Sequence, residues 1–96
     1  MANALVSIQI LPRTNDGEDI IPYVDRAIQV IHDSGVKYLV SPLETTMEGE
    51  LDELLGIIRK MNDAMIEKGS PSVISQVKIY FNPEGASMDK LTEKYR

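Results

Sequence analysis

"PLETTMEGELDEL", residues 42–54, changes character half-way along. Thr45 and Thr46 stand side by side in its first half, and branched side chains favour extended backbone. The second half, from Glu50 to Leu54, is acidic and leucine-bearing, as at the start of a helix. Glu48 and Gly49 lie at the join. The stretch therefore predicts a strand that runs straight into a helix, with Gly49 permitting the tight turn and Glu48 delivered to its rim.

Downstream, the helix extends from about Glu50 to Lys68. Leu51, Leu54, Ile58, Met61 and Met65 recur by threes and fours, and Leu55 and Ile57 widen the stripe. Acidic residues occupy its first turn, Lys68 its last, and Gly69 follows. "VISQVKIYF", Val73 to Phe81, then predicts a strand, and "ASMDKLTEKY" a short terminal helix with Met88, Leu91 and Tyr95 on one side. Upstream, "VKYLVSP" predicts a strand bent at Pro42 into the one carrying the threonines. Before it, Ile20, Val24, Ala27, Ile28 and Ile31 mark a helix over about Asp19–Ser34, with Pro22 tolerated in the first turn and Gly35 as its cap. "ALVSIQIL", Ala4 to Leu11, alternates: Ala4, Val6, Ile8 and Ile10 on one face, Leu5, Ser7, Gln9 and Leu11 on the other.

The order β-α-β-β-α-β with a helical tail predicts an α+β, ferredoxin-like domain over residues 1–96. Two helices cover one face of a four-stranded antiparallel sheet. Its other face, with Leu5, Ser7, Gln9, Leu39, Gln76 and Tyr80, is expected to be bare in a monomer. It is then a subunit interface, a ligand site or both. The final strand lies at the sheet edge, which adds to the expectation of a homodimer or homotetramer.

Composition narrows the function. With 43% hydrophobic and 26% charged residues, the chain is an ordinary globular one. A net charge of −5 disfavours nucleic acid, whose binders carry a basic stripe. No run reaches transmembrane length and "MANALVSIQIL" has no basic segment before its apolar stretch, so no membrane association and a cytoplasmic location are expected. Cysteine is absent, which removes disulfide and thiolate chemistry. His32 is the only histidine and is expected near a helix C-terminus, facing its carbonyls. "NDGED" has its glycine too early for a calcium loop and reads as a helix start. The acids between Glu44 and Glu53 read as a solvated charge run, not a metal cluster. No nucleophile, phosphate loop or metal set stands out, so neither catalysis nor a required cofactor is expected.

"PLETTMEGE" resembles the proline-x-glycine-threonine-x-x-glutamate-glycine-glutamate signature of the YkoF-like, thiamine-binding family. Pro42, Thr45, Glu48, Gly49 and Glu50 match it, and "ALVSIQILP", "SGVKYLVSP" and the "VKI" of the last strand extend the likeness. Glu44 departs from it, where the family usually has glycine. So does Ser72, where arginine often opens the last strand, and "YFNPEG" lacks the usual acidic-basic ending. The resemblance implies a ferredoxin-like fold, dimers or tetramers, and non-catalytic binding of thiamine or its hydroxymethylpyrimidine half. A carboxylate can pair with an aminopyrimidine edge, a role that falls to Glu48. Ser7, Gln9, Thr45 and Thr46 would complete the polar contacts, and Tyr38, Tyr80 or Phe81 would cover the ring. The acidic balance would favour thiamine over its diphosphate. The competing reading has Glu48 serving only its helix and the domain acting as a structural oligomerisation module without such a ligand.

Overall fold

Alternation and turn chemistry decide where each element starts and stops. In the computed structural model, which describes residues 2–96, β1 (Ala4–Pro12) leads to α1 (Ile21–Ser34), β2 (Lys37–Val40) and β3 (Thr45–Gly49). α2 (Leu51–Lys68), β4 (Val73–Phe81), α3 (Met88–Thr92) and a 3-10 turn (Glu93–Tyr95) complete the chain. The strands pair antiparallel in the order β2-β3-β1-β4, the ferredoxin-like arrangement. Each main helix stops at a glycine. Gly35 adopts positive φ and its amide donates to the His32 carbonyl, while the Gly69 amide donates to Ile66.

β1 lies inside the sheet, and its even-numbered face is the centre of the core. Ala4, Val6, Ile8 and Ile10 pack with Met47 of β3 against Ala27 and Ile31 of α1 and Leu54, Ile57, Met61 and Met65 of α2. Tyr23 joins this core, although the expected stripe of Ile20, Val24, Ala27, Ile28 and Ile31 does not include it. The phenol completes its burial by donating to Glu18 Oε1 at 3.3 Å, and burial, seconded by Glu18, pushes its pKa up. Ile20, Val24 and Ile28 are left at the margin, partly exposed.

Gly49 does what a tight strand-to-helix join requires. A Cβ there would stand 3.2 Å from both Glu53 Oε1 and Leu54 Cδ2, closer than neighbouring atoms settle without shifting. The cap of α2 comes from elsewhere: Asn3 Oδ1 accepts from the Leu51 amide at 2.9 Å, tying the helix start to the chain before β1.

The open face is only partly bare. Leu5 is buried in a small second cluster with Ala86 and Met88, because the segment after β4 folds back over that end of the sheet. Ala86 N donates to Ala2 O and Asn82 N to Asn3 O, which anchors the return. Leu91 and Tyr95, grouped with Met88 by helical spacing, point to solvent; α3 is too short to bury a full stripe.

Candidate functional site

The β2–β3 hairpin turns over Pro42 and Leu43, closed by the Ser41 amide on the Glu44 carbonyl at 3.0 Å. From there side chains alternate, so consecutive residues of the signature serve different faces. Glu44, Thr46 and Glu48 point to the open face; Thr45 and Met47 point toward the helices, both buried. Thr45 and Thr46 therefore stand back to back.

On the open face a polar cluster forms across three strands. Ser7 and Thr46, directly opposite each other, share a hydroxyl–hydroxyl bond of 2.6 Å. Glu44 Oε1 accepts from Lys78 Nζ at 2.9 Å. That bond, with a smaller contribution from Ser7, holds the Glu44 carboxyl below the usual glutamate range against the opposing effect of burial. Gln9 and Gln76 are cross-strand partners, and together with Glu44 and Lys78 they line a shallow recess. Around the hairpin's flank a second recess of about 210 Å³ opens between sheet and α1. Its walls are Ile8, Ile10, Val24, Ile28 and Leu43, with Thr45 inside and Gln9 and Glu44 common to both recesses.

The predicted site residues thus divide by place. Ser7, Gln9 and Thr46 gather near the hairpin end of the open face, and Thr45 lies through the sheet from them in the flanking cavity. Glu48 and Tyr80 share the open face but at its other end, both opposite Leu5. Leu5 and Gln9 are separated by roughly 13 Å at strand rise, so a single aromatic ring cannot touch both ends. Glu48 is occupied: its Oε1 accepts from the Met88 amide at 2.8 Å, holding the start of α3. Tyr80 is half exposed, and its hydroxyl accepts from Asn82 Nδ2 at 3.4 Å. Tyr38 is on the helix-covered face, where its hydroxyl meets His32 Nδ1 at 2.9 Å with the rings edge to face. His32 itself sits in the last turn of α1.

Sequence reasoning placed Glu44 in a solvated acidic run and as a departure from a family pattern, and gave Lys78 no role. Parity with Thr46 puts Glu44 on the open face; its pairing with Lys78 depends on strand order, which sequence does not display. Among the described residues, no three His, Asp or Glu side chains converge as a metal ion would need, and no helix is long and apolar enough to cross a membrane.

The sequence profile of a family described as thiamine-binding protein matches residues 6–96, nearly the whole chain. The chain belongs to that family. A UPF0045 protein of Clostridium perfringens, 46% identical over 91 residues, covers 95% of each chain. Among solved structures, a domain of unknown function (DUF77) from Bacillus cereus superposes with a TM-score of 0.91 at 37% identity, over 100% of this chain and 93% of that one. A Thermotoga maritima protein provisionally assigned to thiamine biosynthesis or salvage gives 0.87 at 31% identity, over 98% and 99%. These likenesses agree with the ferredoxin-like topology, and they span the hairpin and both recesses of this thiamine-binding family member.

Proposed function

We propose that the protein binds thiamine or its hydroxymethylpyrimidine half, and holds or delivers it without chemical change. The observation that carries this reading is the signature segment itself. In a chain of the thiamine-binding family, it sets Thr45 inside an apolar cavity and Glu44 on its rim, beside Gln9. An apolar recess with a few convergent polar groups is the usual form of a small-molecule site. Ser7 and Thr46 lie through the sheet from it, beside Gln9 on the open face. They would meet only a part of the ligand that extends round the hairpin. Glu48 would reach a ligand only after the C-terminal segment lifts, Tyr80 only one that extends to the far end of the open face, and Tyr38 only from the β2 edge. On this reading the protein works in the cytoplasm as a homodimer or homotetramer, needs no cofactor, and engages neither nucleic acid nor membrane.

Calorimetry with thiamine, hydroxymethylpyrimidine and thiamine diphosphate tests it. Micromolar or tighter binding of the first two is expected. The diphosphate should be weaker, because the chain carries −5 and Glu44 stays ionised at the rim. No heat with any of the three overturns the proposal. A second reading, an oligomerisation module without such a ligand, is favoured by the exposed apolar side chains of β4; an assembled protein that binds none of the three would support it.

A further inference from the structure

The hairpin cavity and the open face leave the outer side of the helix pair unused. Lys68 Nζ stands 5.3 Å from the centre of the Tyr23 ring, and Asn15 Nδ2 donates to Gly69 O at 2.9 Å. The start of α1 therefore lies beside the end of α2, and the two helices run antiparallel. A groove of about 360 Å³ opens between them, with Val30 and Ala64 as its floor.

Charge alternates around that floor. With Tyr23 beside Lys68, Arg26 of α1 is level with Asp63 and Glu67 of α2, and Asp33 is level with Lys60. All five are exposed, so opposite signs face each other at both ends of the groove. They do not close on one another. The two ion pairs among the described residues, Lys37–Asp89 and Lys78–Glu44, lie elsewhere. Asp33 has a neighbour on its own helix, its Oδ1 accepting from Gln29 Nε2 at 2.7 Å, which leaves Oδ2. A ligand carrying both signs gains charge-assisted bonds here without breaking an ion pair. A purely anionic one would meet three carboxylates, and a purely cationic one Arg26 and Lys60.

We propose that this groove binds a free α-amino acid with a carboxamide side chain, glutamine or asparagine. An α-amino acid carries a carboxylate and an ammonium on one carbon, the complement of a guanidinium facing two carboxylates. Arg26 takes the carboxylate, and Asp63 and Glu67 take the ammonium. Arg26 and Asp33 are two turns apart, roughly 10 Å at helical rise, so the side chain runs over Val30 and Ala64 to the other end. There a carboxamide accepts from Lys60 and donates to Asp33, meeting both signs with one neutral group. The volume lies within the roughly 300–1,000 Å³ of small-molecule sites. Exposed ion pairs contribute little each, so a dissociation constant of about 1 mM is expected. No residue lines both this groove and the cavity beside the hairpin, so the two sites fill independently.

Titration of isotope-labelled protein with L-glutamine and L-asparagine tests this. The amides of Arg26, Val30, Ala64 and Glu67 are expected to shift and saturate with at least one of them. N-acetylglutamine and glutamine α-amide each lack one of the two charges and should bind about tenfold more weakly. Arg26→Gln and Glu67→Gln should weaken glutamine to a similar degree, with melting unchanged because both side chains are exposed. Thiamine binding by Arg26→Gln should equal that of the parent protein. Groove amides that stay still with both amino acids at roughly 10 mM, tenfold above the expected constant, overturn the proposal. So does equal affinity for the acetylated or amidated compound, or a loss of thiamine binding in Arg26→Gln, which would make the two sites one.

Discussion

Adjacent residues in this chain answer to different parts of the molecule. Thr45 is 7% exposed in the flanking cavity, whereas Thr46 hydrogen-bonds Ser7 on the opposite face. Thr45→Val keeps the branched shape and removes the hydroxyl. It should weaken pyrimidine binding by about 0.5–1.5 kcal/mol, the range for a neutral hydrogen bond, with an unchanged or slightly raised melting temperature. Calorimetry paired with thermal melting checks both halves; an unchanged dissociation constant would remove Thr45 from the site. On the proposed function, Glu44 is expected to set charge preference; its bond to Lys78 holds its carboxyl below the usual glutamate range. Glu44→Gln is expected to narrow the affinity gap between thiamine and its diphosphate several-fold, read from the ratio of the two dissociation constants.

At the scale of elements, the C-terminal segment is held by side chains from distant strands. Glu48 Oε1 accepts from Met88 N, and Lys37 bonds Asp89. Glu48→Ala removes an acceptor from the part-buried Met88 amide. The cost should be about 1.5 kcal/mol, the low end for a bond to a charged group, or roughly 6–12 °C in melting temperature. Binding of the free pyrimidine should not change, because Glu48 lies at the far end of the sheet. The ion pair adds a pH dependence. Its bond to Lys37 holds the Asp89 carboxyl below the usual aspartate range, and the same bond raises the Lys37 ammonium. A depressed carboxyl contributes stability above its unfolded pKa and loses it as pH falls through the folded one. A raised lysine contributes below its unfolded pKa and loses that as pH rises through the folded one. The segment should therefore stay latched between those limits and loosen on acidification below the ordinary aspartate range. The Met88 methyl resonance reports this, and Asp89→Asn should abolish the acid step.

For the molecule as a whole, β4 is the unfinished part. Ile79 is 50% and Phe81 51% exposed on the helix side, Ile74 and Tyr80 are exposed on the other, and the outer edge of the strand has no partner among the described residues. A long apolar edge strand left open invites another chain. Antiparallel pairing of two β4 strands would continue the sheet across a two-fold axis and cover these side chains. Light scattering should therefore give a dimer or tetramer at micromolar concentration. Ile79→Lys should yield a monomer with nearly unchanged melting; a wild-type monomer would overturn the assembly.

The elements were legible because their causes are local. Alternation in "ALVSIQIL", the three-four stripe after Glu50 and the glycines at 35 and 69 each act through neighbours along the chain, and together they dictated the β-α-β-β-α-β order. Even the separate faces of Thr45 and Thr46 follow from strand parity. Tertiary structure alone decided the rest. Tyr23 took a place in the core with Ala27 and Ile31, while Val24 stayed at its margin. Glu48 went to Met88, forty residues away, and Asn3 to the start of α2. The cavity beside Ile10 exists because β1 outlasts β3. Strand lengths compared across a sheet, and contacts between distant residues, are products of packing, and no periodicity within one segment encodes them.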